Sequence, residues 1–385
     1  LTLTNSDQNI RDWWVEQLEE AGLTVWVDAV GNIFGRREGI EPSAAPVLIG
    51  SHLDSQPNGG IYDGALGCIA ALEIVRTLNE RSVETDHPIE VVNWTNEEGS
   101  RFQPAMFGSG VWAGQTSIEE AYDTTDSEGI RFEDALEGIG YLGDEPAEPH
   151  EEYEAYLELH IEQGPRLEAT GADVGVVTGI VGFTWGEVTL NGEANHTGTT
   201  PMDHRSDALV AASDVVTGIR RLPATLDPEV VATTGSINLE PDSINVIPGE
   251  VSFTWDARAP TDDLVRKARE RVLSEVEYAA DREGVNSETV DRQHASTVTF
   301  PERTVNAVWN ATDQLGLDSM ELTSGAGHDA THAAAVTDAA MVFAVSEGGY
   351  SHSPKEFTTD ADCYAAANTL GTAAINLAAP EVRLE

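Results

Sequence analysis

The chain has 385 residues, enough for two or three cores at about 100–200 residues per domain, and its 40% hydrophobic content supports globular domains over disorder. It carries 21 Lys and Arg against 67 Asp and Glu, a formal net charge of −46, with Lys267 and Lys355 its only lysines. Such a surface excludes nucleic acid and anionic membranes as partners, because binding either depends on cations that neutralise phosphates. No apolar run is long enough to span a bilayer, Leu1 to Ile10 carry no leader pattern, and Cys68 and Cys363 supply no disulfide framework, so a cytoplasmic protein is expected. The acidic residues are spread along the whole chain rather than gathered in a tail. Their mutual repulsion is screened to about 3 Å at 1 M salt, which reads as a halophile's protein.

Taken in chain order, the run from Ala45 to Asp54 begins as a buried strand and ends in polar residues. A helical pattern follows over about Ala65 to Leu78, with Leu66, Ile69, Leu72, Ile74 and Val75 near helical spacing. Ile89 to Glu98 is a second strand that ends in carboxylates, and Tyr156 to Glu162 alternates as a third. Strand, helix, strand order predicts an α/β domain whose polar residues collect at the carboxyl ends of strands, the edge where open α/β sheets place ligands. Residues 182–293 read differently. Trp185 to Leu190 and Val251 to Ala257 look like strands, and Asp207 to Arg221 and Asp262 to Asp281 like amphipathic helices, which predicts a compact α+β unit. Ala340 to Val345 then returns to a buried strand, and Asp360 to Ala378 closes as a helix. The expected organisation is a discontinuous α/β catalytic domain over 1–181 and 294–385, carrying an inserted α+β lid or dimerisation domain over 182–293.

The residues that carry chemistry sit at the strand ends. His52 and Asp54 are two apart, so both side chains fall on one side of an extended chain; a metal-bound imidazole commonly donates its other nitrogen to a carboxylate, the part expected of Asp54. Glycines around Asp63 permit unusual backbone at a helix start, where Asp63 could bridge two metals. Glu97 and Glu98 offer one carboxylate for a metal and an adjacent one as general base, and His160 and His352 add imidazoles. A histidine at a strand end is more often an ordinary polar residue than a ligand, and a Glu pair means little in so acidic a chain. Five candidates directly after apolar strands are harder to obtain from surface charge alone. Three imidazoles with one Asp and one Glu suit zinc, manganese, cobalt or nickel. A rival motif, Gly327 to His332, spaces His328 and His332 like the His-Glu-x-x-His metalloprotease pattern, but with Asp in place of Glu. The shorter side chain reaches a water poorly, so His328 is read as facing the site and His332 as incidental.

Seven ordered motifs then carry a resemblance: Gly-Ser-His-Leu-Asp (50–54), Asn-Gly-Gly-Ile-Tyr-Asp-Gly (58–64), Thr-Asn-Glu-Glu-Gly-Ser-Arg-Phe (95–102), His-Ile-Glu-Gln-Gly-Pro (160–165), Asn-His-Thr-Gly-Thr-Thr-Pro-Met (195–202), Ser-Gly-Ala-Gly-His-Asp-Ala (324–330) and Glu-Gly-Gly-Tyr-Ser-His-Ser (347–353). In order and spacing the chain resembles the amidase/hydantoinase/carbamoylase branch of the M20 metallopeptidase superfamily, over nearly its whole length. The resemblance implies that His52, Asp63 and His160 hold one divalent metal and Asp63, Glu98 and His352 a second, with Glu97 as general base. It implies that His196 polarises the scissile carbonyl, that Arg258 with Asn245 grips a substrate carboxylate, and that Gln163 and His328 contact the ureido group or carboxylate. His160 is diagnostic, because peptidase branches place a carboxylate there. The one small departure is Thr197, where Ala is common. The activity implied is hydrolysis of an N-carbamoyl-L-amino acid to amino acid, CO2 and ammonia by a homodimer. Alternatives are allantoate amidohydrolase or β-ureidopropionase chemistry, then an M20 peptidase or deacylase, then a ligand-binding protein without turnover.

Overall fold

The computed structural model describes residues 1–379. The chain divides into two compact units, Leu1–Thr178 with the segment from Thr299 onward, and Gly179–Val298.

The first unit is built on a nine-stranded mixed sheet. Its strands are β1 (Thr24–Val27), β2 (Ile33–Arg37), β3 (Val47–His52), β4 (Ile89–Trp94), β5 (Ala155–Ile161) and β6 (Val174–Ile180). The inserted unit contributes β7 (Gly182–Asn191), β8 (Asn195–His196), β9 (Val231–Glu240), β10 (Val246–Ile247), β11 (Glu250–Ala259) and β12 (Asn286–Ala295). The first sheet is completed by β13 (Val298–Thr299), β14 (Ser319–Ser324) and β15 (Ala339–Ala344), in the order β1-β2-β4-β3-β5-β15-β6-β13, with β14 paired to β6. The four central strands β4, β3, β5 and β15 are mutually parallel. Every residue of these four is buried, as a parallel sheet covered on both faces requires. The helices Ala65–Glu80 and Asp360–Ala378 pack against them, the first burying Cys68, Ala71, Leu72 and Val75. Parallel strands put their carboxyl ends on one edge, so the chain leaves β3, β4, β5 and β15 at the same side of the sheet. The register from Val47↔Ala155 to Gly50↔Glu158, carried two residues further, sets His52 beside His160.

The inserted unit is a four-stranded antiparallel sheet, β12-β7-β11-β9, with the helices Ala208–Arg220 and Asp262–Glu283 packed on one face, and a separate β8/β10 ladder. Val188, Leu190, Val251, Phe253 and Trp255 from the sheet meet Ala212, Val215, Val272 and Val276 from the helices in a single core. The sequence reading found β7, β11 and both helices but missed β9 and β12. Both are edge strands exposed over most of their length, so the apolar alternation that betrays a half-buried strand is absent from Thr233-Thr-Gly-Ser236 and from Asn286 to Gln293. Among the described residues no helix is long and apolar enough to cross a membrane.

Candidate metal centre

Four polypeptide turns at the carboxyl edge of the first sheet build the site. His52 is the last residue of β3 and fully buried. His160 is the penultimate residue of β5, 1% exposed, with its ring centroid 5.8 Å from that of His52. Asp63 stands just before the helix Ala65–Glu80, where the positive end of the helix dipole favours a carboxylate. Gly64 follows it at φ +65, and a Cβ there would lie 2.3 Å from the His52 ring, so only glycine lets this turn close over the imidazole. Glu97 and Glu98 lie in the turn after β4, and His352 on the loop that follows β15. The backbone is left-handed at Asn96 (φ 58), Gln163 (φ 57) and His352 (φ 51), a conformation that non-glycine residues adopt only when their surroundings hold it.

The donor atoms converge in two groups that share one residue. His52, Asp63 and His160 form the first, fully buried; Asp63, Glu98 and His352 form the second, in each case with the donor atoms within 4.8 Å of one another. In the first group His160 Nε2 is 2.9 Å and His52 Nε2 3.7 Å from Asp63 Oδ1. In the second, His352 Nε2 is 3.2 Å from Glu98 Oε2 and 3.5 Å from Asp63 Oδ2. Ligands about 2.1 Å from a common ion at the tetrahedral angle stand about 3.4 Å apart, so both groups fit a small divalent cation. A further observation favours the fit: His52 Nε2 is buried with no hydrogen-bond partner, an orphan that a cation would satisfy.

The electrostatics follow from this crowding. Burial would raise Asp63, but His160, His52 and His352 outweigh it and hold the carboxyl well below its ordinary range. Burial would lower His160, and Asp63 and Glu158 instead raise it to about 9. Glu97, 3.5 Å from His52 Nε2 through Oε2, is pushed well above the carboxylate range by burial and by Asp329, Glu98, Asp54 and Asp63. Positive charge placed beside Glu97 would bring it back down.

Asp54 does not act as expected. His52 Nδ1 is 2.9 Å from the Asp54 carbonyl oxygen, while the Asp54 carboxylate is 3.8 Å away. The carboxylate instead accepts from the backbone N–H groups of Glu97 (3.1 Å) and Glu98 (3.3 Å), clamping the pair from below. The main chain turns back toward the ring after β3, so the carbonyl reaches Nδ1 first and the carboxylate is left for the next loop. Gln163, expected to contact substrate, has its amide nitrogen committed to Asp63 Oδ2 (3.0 Å) and Ser351 Oγ (2.9 Å); its Oε1 is buried without a partner. His328 is buried with its ring centroid 4.4 Å from that of His160, and its Nε2 is 2.9 Å from Ser324 Oγ. Burial pushes it well below its ordinary value, so it is neutral. It precedes the short helix Ala330–Ala333 instead of sharing a face with His332, whose pKa burial lowers to about 4, so the metalloprotease spacing forms no paired ligand set. Gln56, which donates to Glu98 Oε2 (2.9 Å) and to the Glu98 carbonyl (3.1 Å), and Ser351, which donates to Asp63 Oδ2 (3.0 Å), escaped the sequence reading. Ser351 lies inside the motif at 347–353, beside His352, whereas Gln56 falls between the motifs at 50–54 and 58–64, where proximity to them is its signal.

The remaining candidates lie in the inserted unit. His196 pairs with Val246 in the β8/β10 ladder and is exposed. Gly198 N–H donates to His196 Nδ1 (3.0 Å), which leaves the ring hydrogen on Nε2 in the neutral form. Asn245 is its neighbour: Thr197 N–H donates to the Asn245 carbonyl (3.1 Å), and Ser243 Oγ to Asn245 Oδ1 (3.1 Å). Arg258, on β11, holds Asp256 through Nη2 (3.1 Å) and lies over the Phe183 ring at 5.7 Å.

Residues 48–376 match the family model for peptidase family M20/M25/M40. The chain is 44% identical over 355 residues to the N-carbamoyl-L-amino-acid amidohydrolase of Rhizobium meliloti, covering 92% of this chain and 85% of that protein. It is 35% identical to the allantoate amidohydrolase of Bacillus subtilis over 89% of this chain and 84% of that one. In structure it superimposes on an amidase of the hydantoinase/carbamoylase family from Burkholderia multivorans with a TM-score of 0.95 and 43% identity, covering 98% and 92% of the two chains.

Proposed function

The chain belongs to peptidase family M20/M25/M40, and from that membership we propose that it is an amidohydrolase cleaving the ureido carbon–nitrogen bond of N-carbamoyl-L-amino acids to amino acid, CO2 and ammonia. One observation carries the reading: Asp63 belongs to both donor groups, with the buried Glu97 carboxylate facing the same imidazole. Relatives named N-carbamoyl-L-amino-acid amidohydrolase, at 37–44% identity, support the substrate class. The relative named for allantoate, at 35%, keeps that ureido compound as the second reading.

The two groups would hold two divalent cations of the zinc, manganese, cobalt or nickel kind, supplying Lewis acidity to a resonance-stabilised ureido carbonyl and acidifying the attacking water. The rest is this chain's own work. Glu97 Oε2 takes the proton of the attacking water and returns it to the leaving nitrogen. Asp54, holding the amides of Glu97 and Glu98, fixes both carboxylates so that one takes a proton while its neighbour stays a ligand. Gln163 keeps Asp63 in orientation and leaves its amide oxygen for the substrate's N–H. On the inserted unit, His196 offers an Nε2–H donor of the kind a developing oxyanion needs, and Arg258 a guanidinium suited to a carboxylate. We assign the inserted unit the part of lid and dimer contact, in a cytoplasmic homodimer that requires salt. A strictly monomeric active species in light scattering would sink the dimer.

The test is ammonia release by metal-stripped protein in molar KCl after each metal is added back, with N-carbamoyl-L-amino acids, N-carbamoyl-β-alanine, allantoate and an N-acyl amino acid as substrates. Metal-dependent ammonia from an N-carbamoyl-L-amino acid is expected. Cleavage of the N-acyl compound alone would make the protein a deacylase and overturn the reading.

A further inference from the structure

Two buried carboxylates in the first unit share a mechanical pattern. Asp54 accepts from two consecutive backbone N–H groups at the Glu97-Glu98 turn. Glu356 does the same at the other ligand turn: its Oε1 accepts from Tyr62 N–H (3.0 Å) and from Asp63 N–H (3.1 Å). Glu356 is 6% exposed, and its Oε2 is buried with no hydrogen-bond partner. A half-satisfied buried carboxylate is costly, so what its other oxygen does must offset that cost.

Glu356 stands four residues after His352 on the same loop. That loop is closed on itself by Glu356 N–H to Ser353 O (2.9 Å) and Glu347 N–H to Phe357 O (2.9 Å). The facing turn is shaped to receive it. A Cβ on Gly60 would lie 1.9 Å from Glu356 Oε1 and 2.5 Å from its Cβ, so any other residue there would expel the side chain. The tie matters most for His352. Its partners Asp63 and Glu98 are buried, whereas its own side chain is 50% exposed and is kept in place by its loop.

We propose that Glu356 is a positioning residue for the second cation site: it fastens the loop of His352 to the turn of Asp63, so that the donor atoms of Asp63, Glu98 and His352 are assembled before an ion arrives. The inference rests on the two-cation reading above. The staple works through the reach of one acceptor oxygen and not through charge. Glu356→Gln keeps an acceptor at the same reach, whereas Glu356→Asp keeps the charge but withdraws the oxygen by up to about 1.5 Å, one carbon–carbon bond.

The experiment is equilibrium Mn2+ binding to metal-stripped wild type and both variants in molar KCl without substrate, with free ion followed by electron paramagnetic resonance. Wild type is expected to take up two ions, and the Gln variant to bind both within about threefold of it. The Asp variant is expected to keep the first ion and bind the second about 10–100-fold more weakly, with an unchanged far-UV spectrum. Wild-type binding of the second ion by the Asp variant would overturn the staple, as would a Gln variant as weak as Asp or an equal loss of both ions. Wild type saturating at one ion would instead overturn the two-cation reading on which the staple rests.

Discussion

The two units hold their functional side chains in opposite ways. In the first, Asp63 and Glu98 are buried and gripped by neighbours (Asp63 by Gln163 and Ser351, Glu98 by Gln56), and even the backbone beneath them is clamped by carboxylates. In the inserted unit, His196 is exposed on a two-residue ladder and Asn245 is exposed directly before its partner strand, each held by short-range bonds to its own loop. A site that must hold small cations at fixed distances has to be rigid before binding, because each misplaced donor loses affinity. Groups that meet a substrate at a surface can stay solvated until it arrives, at the cost of ordering them then.

That contrast can be broken by substitution. The largest effect is expected at Glu97: Glu97→Gln removes the proposed proton carrier while leaving the Asp54 clamp and both donor groups in place, so kcat should fall about 10³-fold with cation binding retained. Retained turnover in that variant would remove Glu97 from the chemistry. Next comes Arg258→Ala, which should raise KM about 10–100-fold with a small change in kcat, as loss of a charged hydrogen-bond partner predicts. A pure kcat defect with normal KM would mean that Arg258 serves the inserted unit's own packing against Asp256 and Phe183.

The protons of the first unit sharpen the comparison further. In the cation-free protein His160 is raised to about 9 by its pairing with Asp63, so at pH 7 it carries a proton that an incoming cation must displace. Cation affinity should therefore rise with pH, by up to about tenfold per unit, and level off above about pH 9. Calorimetry at pH 7 in buffers of different ionisation enthalpy should count at least one proton released with the first ion, from His160, with the lowering of Glu97 by the same cation adding to it; none released would contradict the pairing. The same shift has a stability consequence. The Asp63–His160 pair contributes fully below the ordinary histidine value of about 6.5 and is lost as pH rises through about 9. The smallest and most diffuse effect is that of salt. Raising KCl from about 0.1 M to 1 M shortens the screening length from about 10 to 3 Å and should raise the thermal midpoint of this −46 chain. A midpoint independent of salt would leave the acidic surface without that role.

What the sequence made legible divides along the same line. The central strands were readable because burial on both faces demands apolar runs, and the side chains that converge in the two donor groups because polar residues directly after such runs have few structural reasons to be there. Helix bounds in the inserted unit came within a few residues for the same periodic reason. Its edge strands β9 and β12 stayed hidden, since solvent on their side chains erases the alternation. The clamps stayed hidden too. Asp54 and Glu356 accept from backbone amides of other loops, Gln56 donates to the carbonyl and carboxylate of Glu98, and such contacts leave no periodicity or spacing in the sequence.

The central claim is that two cations sharing Asp63 carry the reaction. Its most direct test is to titrate the metal-stripped protein with Mn2+ in molar KCl while following ammonia release from an N-carbamoyl-L-amino acid. The account predicts turnover that appears as the second equivalent binds and that is lost in His352→Ala with the first ion still held. Full turnover at one equivalent, or a His352→Ala variant as active as wild type, would contradict it.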